Sequence, residues 1–359
     1  MAQNEYIPQL TFPRFLAAVM VVFHHYGVGI FSNKIVNIIV DNGPVAVSFF
    51  FFLSGMVLTL NYFEYSRFSS KMFYLKRFAR IYPIYLFGII ITLAALILLF
   101  DTHPRGLSIM LQILALHAWT PGYCTDINFP GWSISVEIFF YLLFPLLLIL
   151  FKKLNLWKLG LFSLIIWILS ILQNYFFETH VYEFGNKVID DLIAFFPVWH
   201  LNAFIFGMFA GALVIKIKKS NKNFSYFPII IAFTGLILFL AFLAYNKIPD
   251  LRIHNGLLSP VFFMILTGLA LDKSFISKIL GSKSFVFLGD ISYGIYILQY
   301  PVYLVFSKIC GCDTFNMPQF FIYLAVLVGT CSITYILIEK KLRKKIVHLG
   351  TKTGAAKSN

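Results

Sequence analysis

Ten apolar runs dominate the chain, at residues 12–30, 43–62, 82–100, 132–151, 156–177, 194–215, 226–245, 256–271, 285–306 and 318–338. All but the short eighth run are about as long as a helix needs to be to cross the hydrocarbon of a bilayer, roughly 17–25 residues. Inside a membrane every backbone donor and acceptor must be satisfied within the protein, which leaves helices or a closed barrel. Barrel strands span in about ten residues, so the run length selects helices. The expected fold class is an all-α integral membrane protein, a bundle of about ten transmembrane helices. Composition agrees, with 59% hydrophobic and 12% charged residues and a mean hydropathy of +0.82, far from a soluble domain. The shorter stretch 106–119, which leads into Pro121 and Gly122, is expected as an interfacial or re-entrant helix.

A net charge of +14 would suggest a nucleic-acid partner in a soluble chain, but here the basic residues fall between apolar runs. They cluster at Arg67–Arg80, Lys152–Lys158, Lys216–Lys222, Lys273–Lys283 and Lys340–Lys357, whereas the alternate segments hold only Lys34, Arg105, Lys187, Lys247, Arg252 and Lys308. The positive-inside rule then gives ten spans in the plasma (inner) membrane with both termini cytoplasmic. The first run has no small-residue cleavage site and carries Arg14, His24 and His25, so it is expected to be retained. Residues 1–338 form one transmembrane domain, and 339–359 form a basic cytoplasmic tail drawn to anionic headgroups. No internal repeat or low-complexity tract interrupts the chain. The four cysteines lack metal-ligand spacing, and neither a metal nor a tightly bound cofactor is expected. Whether Cys124 pairs with Cys310 or Cys312 stays open.

Ionisable residues inside spans are costly and mark function by default. Arg14 and His25 are eleven residues apart, within about 20° of one helix face, while His24 falls off that face. Arg77 and Arg80 are three apart and point to one side, where two guanidinium forks can hold phosphate oxygens. A basic loop present only for topology is the alternative. Glu137 follows Trp132, which is expected in an interfacial aromatic belt. Counting inward from that belt puts Glu137 about 7 Å deep, level with His25, so the two can meet. Ser48, His200 and Gln299 fall in the same outer half.

Five stretches in chain order resemble the landmarks of the membrane acyltransferase family 3. They are Arg14-x10-His25, Phe52-Leu53-Ser54-Gly55-Met56-Val57-Leu58, Arg77-x-x-Arg80-Ile81-Tyr82-Pro83, Trp132-Ser133-Ile134-Ser135-Val136-Glu137 and Leu288-Gly289-Asp290-Ile291-Ser292-Tyr293-Gly294-Ile295-Tyr296. The resemblance implies transfer of an acyl group, often acetyl, from cytoplasmic acyl-CoA to a hydroxyl of an extracytoplasmic glycan or lipid-linked sugar. His25, Arg14, Arg77, Arg80 and Glu137 match the family's charged landmarks. Many relatives have a histidine where this chain has Gln299, which is left a substrate-contact role. Many also carry a fused esterase-like domain after the last span; its absence here implies direct delivery to the acceptor.

On that basis Arg77, Arg80 and Lys76 would bind the phosphates of the donor, and its pantetheine arm would pass Arg14. His25 would act as general base with Glu137 as its orienting partner, or form an acyl-histidine; both routes stay open. Ser48, Tyr141 and His200 are the candidates for oxyanion or substrate contacts. A membrane transporter of a small acylated or sugar-derived molecule is the rival function, weakened by the lack of repeated, Gly/Pro-broken spans.

Overall fold

The computed structural model describes residues 6–64, 68–220, 226–245 and 252–355, with side chains described to residue 351. The basic residues Arg67, Lys222, Lys247 and Lys357, and the side chain of Lys352, lie outside this set. Every regular element among the described residues is helical. The helices are α1 Phe12–Tyr26, α2 Lys34–Asp41, α3 Val45–Tyr62, α4 Ser70–Phe100, α5 Gly106–Ile113, α6 Trp132–Lys153, α7 Leu156–His180, α8 Lys187–Phe195, α9 Leu201–Lys219 and α10 Phe227–Tyr245. They continue as α11 Ser259–Leu271, α12 Phe275–Leu280, α13 Lys283–Cys310, α14 Met317–Thr334 and α15 Lys340–Ala355. Each of the ten apolar runs coincides with a helix. Among the described residues, seven helical stretches are long and apolar enough to cross a membrane by length and composition. The chain is an all-helical, multi-pass membrane protein.

Local chemistry sets the boundaries. Ser69 caps α4 by accepting from the Met72 amide, and Asn316 and Gln319 form a reciprocal capping box at α14. α4 begins a full three turns before its apolar run, so Arg77 and Arg80 ride on a formed helix, and Pro83 lies inside it without ending it. The closest packing is between α3 and α9. A methyl group at Gly55 would strike the Phe204 carbonyl, and one at Gly207 would strike that of Phe52. With Gly211 against Thr59, the Gly207-x-x-x-Gly211 spacing lets the two backbones touch, as small residues do between helices in lipid. α1 packs on α13, whose Gly289 sits against the Thr11 carbonyl.

The segment between α4 and α6 does more than connect them. Tyr82 and Tyr85, near the middle of α4, donate to the carbonyls of Ile113 and Gln112 at 3.1 and 2.5 Å, which draws the end of α5 into the bundle. Asn128 then donates to the Ile297 carbonyl, and Ser135 to that of Ala115. The stretch is re-entrant, with its backbone satisfied by buried polar side chains. Trp132 is consequently 7% exposed, packed against Phe195 and His200 rather than lying in an interfacial belt. All four cysteines are free, and the Cys124 thiol is buried against the His117 carbonyl.

Candidate active site

Two adjacent cavities share lining residues near the start of α4. The first is a wide mouth of about 820 Å³ that includes Lys76, Arg77, Arg80 and Asp290. The second is a narrow chamber of about 130 Å³ that includes Ser54, Glu137, Tyr141 and Tyr296. Arg14, Val57, Arg77 and Arg80 line both and form the neck between them. The expected donor-binding set of Arg14, Lys76, Arg77 and Arg80 is thus brought together from α1 and α4.

The neck arginines are only partly paired. Arg80 faces the buried Glu339 at 3.8 Å. Arg77 stacks its guanidinium near the rings of Phe73 and Tyr141, both at 5.9 Å, and its buried Nε has no hydrogen-bond partner among the described residues. Arg14 and Arg77 have no ion pair within 4.0 Å among the described residues. Three guanidinium groups around a neck attract an anion, and planar forks suit phosphate oxygens.

Inside the chamber Glu137 accepts hydrogen bonds from the Tyr141 hydroxyl at 2.5 Å and the Ser54 hydroxyl at 3.2 Å. His25 lies elsewhere. Its Nδ1 is 2.8 Å from Oε1 of Gln299, and its ring packs edge-on against Phe129. The expected His25–Glu137 pair is therefore not formed. Depth counting assumed that α6 starts at the membrane surface, but the re-entrant segment sinks Gly131 to the level of Tyr85 in mid-α4. Glu137, six residues beyond Gly131, drops about 9 Å more and joins the arginines.

The helical phase of α1 is as expected. His25 faces α13, whereas His24 turns to α2 and donates to the Val40 carbonyl at 2.7 Å. Gln299 also has a definite role in the geometry. Its Nε2 donates to the Tyr296 carbonyl at 2.7 Å, which can only accept, so its Oε1 must face His25. An amide oxygen can only accept too, so Nδ1 carries the imidazole proton. The Nε2 lone pair of His25, which makes no hydrogen bond among the described residues, is left free to act as a base. Gln299 is one helical turn beyond Tyr296, so His25 lies just past the end of the chamber.

The remaining expected residues are dispersed. Tyr141 lines the chamber. Ser48 is buried and donates to the Val45 carbonyl of its own helix. His200 is fully buried in an aromatic group with Trp132, Phe51 and His254, with Nε2 donating to the Ala194 carbonyl. Neither lines the mouth or the chamber. Ser54, Tyr293 and Tyr296, which do, had been noted only as parts of motifs.

The signature of a family described as an acyltransferase domain matches residues 7–339. The chain is 24% identical to the peptidoglycan O-acetyltransferase OatA of Listeria monocytogenes over 378 residues, covering 95% of this chain and 56% of that protein. It is 34% identical to the acyltransferase MdmB of Streptomyces mycarofaciens over 158 residues, 41% of this chain and 40% of that protein. The chain thus spans about half the length of these curated relatives. No solved structure matches it.

Proposed function

The chain belongs to this acyltransferase family, and from that premise we propose that it is an integral membrane O-acyltransferase. It moves an acyl group, in the simplest case acetyl, from a cytoplasmic acyl-CoA to a hydroxyl of an extracytoplasmic glycan or lipid-linked sugar. The observation that carries the proposal is the sequence of a basic mouth, a shared arginine neck and a chamber lined by Tyr296, one helical turn from the Gln299–His25 pair. The relatives named as an acyltransferase and a peptidoglycan O-acetyltransferase support the reaction class and a glycan acceptor.

In this mechanism the phosphates of the donor bind Arg77, Arg80 and Lys76, and the pantetheine arm passes Arg14 into the chamber. The thioester lies towards His25, while the acceptor enters from the opposite side of the membrane. Nε2 of His25 takes the proton of the acceptor hydroxyl as its oxygen bonds to the thioester carbonyl carbon. The C–S bond breaks, and the departing thiolate recovers the proton from the imidazolium. Gln299 holds the tautomer in which Nε2 is the base. Glu137 acts on the donor side, as counter-charge to the neck arginines and as the group that orients Tyr141 and Ser54. The basic mouth faces the cytoplasm, consistent with the positive-inside pattern.

Purified protein in detergent, given acetyl-CoA and a soluble glycan acceptor, tests this directly. His25→Ala is expected to lower turnover by at least about a hundredfold while the protein still binds coenzyme A. Full activity in that variant would sink the mechanism. A transporter would give no turnover without sealed compartments.

A further inference from the structure

The mouth has a second wall. α14 does not end at Thr334 but widens into a π-helical turn, Tyr335–Glu339, and continues as α15. In that turn Tyr335 donates to Asp290 at 2.9 Å, and Glu339 turns inward to Arg80. α15 then runs on alongside α4, closely enough that a methyl group at Gly350 would strike the Leu75 side chain. This path brings Arg343, Lys344, Val347, His348 and Thr351 onto the mouth, opposite Lys76, Arg77 and Arg80. The family signature stops at Glu339, so α15 lies wholly beyond it.

The charges do not balance. Six lysine and arginine side chains line the mouth, and Asp290 is the one carboxylate among its lining residues. Arg343 has no ion pair within 4.0 Å among the described residues, and the buried Nε of Arg77 has no hydrogen-bond partner. Cations from three helices gathered around a cavity of about 820 Å³ repel one another unless an anion fills it. Lys341 and Lys345, on the same helix and exposed as Arg343 and Lys344 are, do not line the mouth. The helix therefore presents distinct cations to the cavity and to its surroundings.

We propose that α15 is one half of a phosphate-binding clamp, in which Arg343 and Lys344 close over a phosphate-bearing anion held from the other side by Arg77 and Arg80. The identification of that anion as the head of acyl-CoA rests on the function proposed above; the phosphate of an anionic phospholipid has the same chemistry. The clamp gives the basic tail a specific ligand instead of a diffuse attraction to headgroups.

Equilibrium binding of coenzyme A and of dioctanoyl phosphatidylglycerol to the purified full-length protein, in neutral detergent, tests the clamp and separates the two sources. The double variant Arg343→Gln/Lys344→Gln is expected to weaken coenzyme A binding by about tenfold or more, since it removes two charge-assisted contacts. Arg343→Lys/Lys344→Arg should retain most of the affinity, which guards against mistaking misfolding for lost contacts. Lys341→Gln/Lys345→Gln removes the same charge from the wrong face and should change binding less than about twofold. If only phosphatidylglycerol binds, and Arg343→Gln/Lys344→Gln weakens it, the clamp stands and the acyl-CoA reading falls. If wild type binds coenzyme A and both double glutamine variants bind it as wild type does, or lose affinity equally, the clamp is overturned while the donor reading survives.

Discussion

The two ends of the bundle treat their charges in opposite ways. Around the mouth, arginines from α1, α4 and α15 line a cavity with little to neutralise them. At the far end of α4, Asp126 is held by Lys187 at 2.8 Å, Arg105 at 3.1 Å and the Ser108 hydroxyl at 2.7 Å. Arg252 there binds Asp190 at 2.6 Å and also Glu178, and it lies over the Tyr182 ring. Paired charges of this kind tie loops together. Unpaired ones arranged around empty volume cost stability in the free protein and gain a purpose only when a ligand arrives. Function is therefore expected to follow the unsatisfied end, and stability the satisfied one.

The largest effect that could break this contrast is at the neck. Arg77→Ala/Arg80→Ala should raise the KM for acetyl-CoA by about a hundredfold or more, since two charge-assisted phosphate contacts are lost. Initial rates over a range of donor concentrations check it, and an unchanged KM would return both arginines to a purely topological role. Arg80 also balances Glu339, so Arg80→Ala/Glu339→Gln should be the better-folded background for the same measurement.

An intermediate effect is expected at Gln299, which positions His25. Gln299→Leu removes the acceptor for Nδ1–H and should lower kcat by at least about tenfold, with the donor KM unaltered. Gln299→Glu restores an acceptor oxygen and should recover much of that loss. A fall in KM and kcat together, without rescue by glutamate, would mean that Gln299 only supports packing.

The smallest effect belongs to the paired end. Burial pushes the Asp126 carboxyl up, but hydrogen bonds from Lys187 and Ser108, with Arg105, outweigh it and hold the group below the usual carboxylate range. A depressed value contributes stability at neutral pH that disappears as pH falls through the folded-state pKa. Thermal unfolding midpoints should thus keep this contribution down to about pH 4 and lose it below that. Asp126→Asn should remove this acid sensitivity and cost about 1 kcal/mol at pH 7. Its donor KM should match wild type, and a large change would erase the distinction between the two ends.

Much of the architecture was legible in the chain because its causes are local. Hydropathy over about twenty residues specifies a spanning helix whatever surrounds it, and each apolar run coincides with one. Helical phase depends only on spacing, so His25 rather than His24 was assigned to the inner face, and the Arg77-x-x-Arg80 pair to a single side. Partnership was a different matter. Glu137 was matched to His25 by counting residues from Trp132, and the count failed because contacts such as Tyr85 to Gln112 and Asn128 to Ile297 bury the start of α6. No property of residues 132–137 alone carries that information.

The sequence by itself determined a helical membrane bundle, the face that α1 turns inward and the family to which the chain is similar. Tertiary structure decided that His25 pairs with a glutamine 274 positions away, that Glu137 joins the arginines, and that the tail continues as a helix that walls the mouth. Hydropathy and helical phase are set within a few turns of chain. The depth of a side chain and the identity of its neighbour depend on how the re-entrant segment and the π-helical turn carry distant helices past one another.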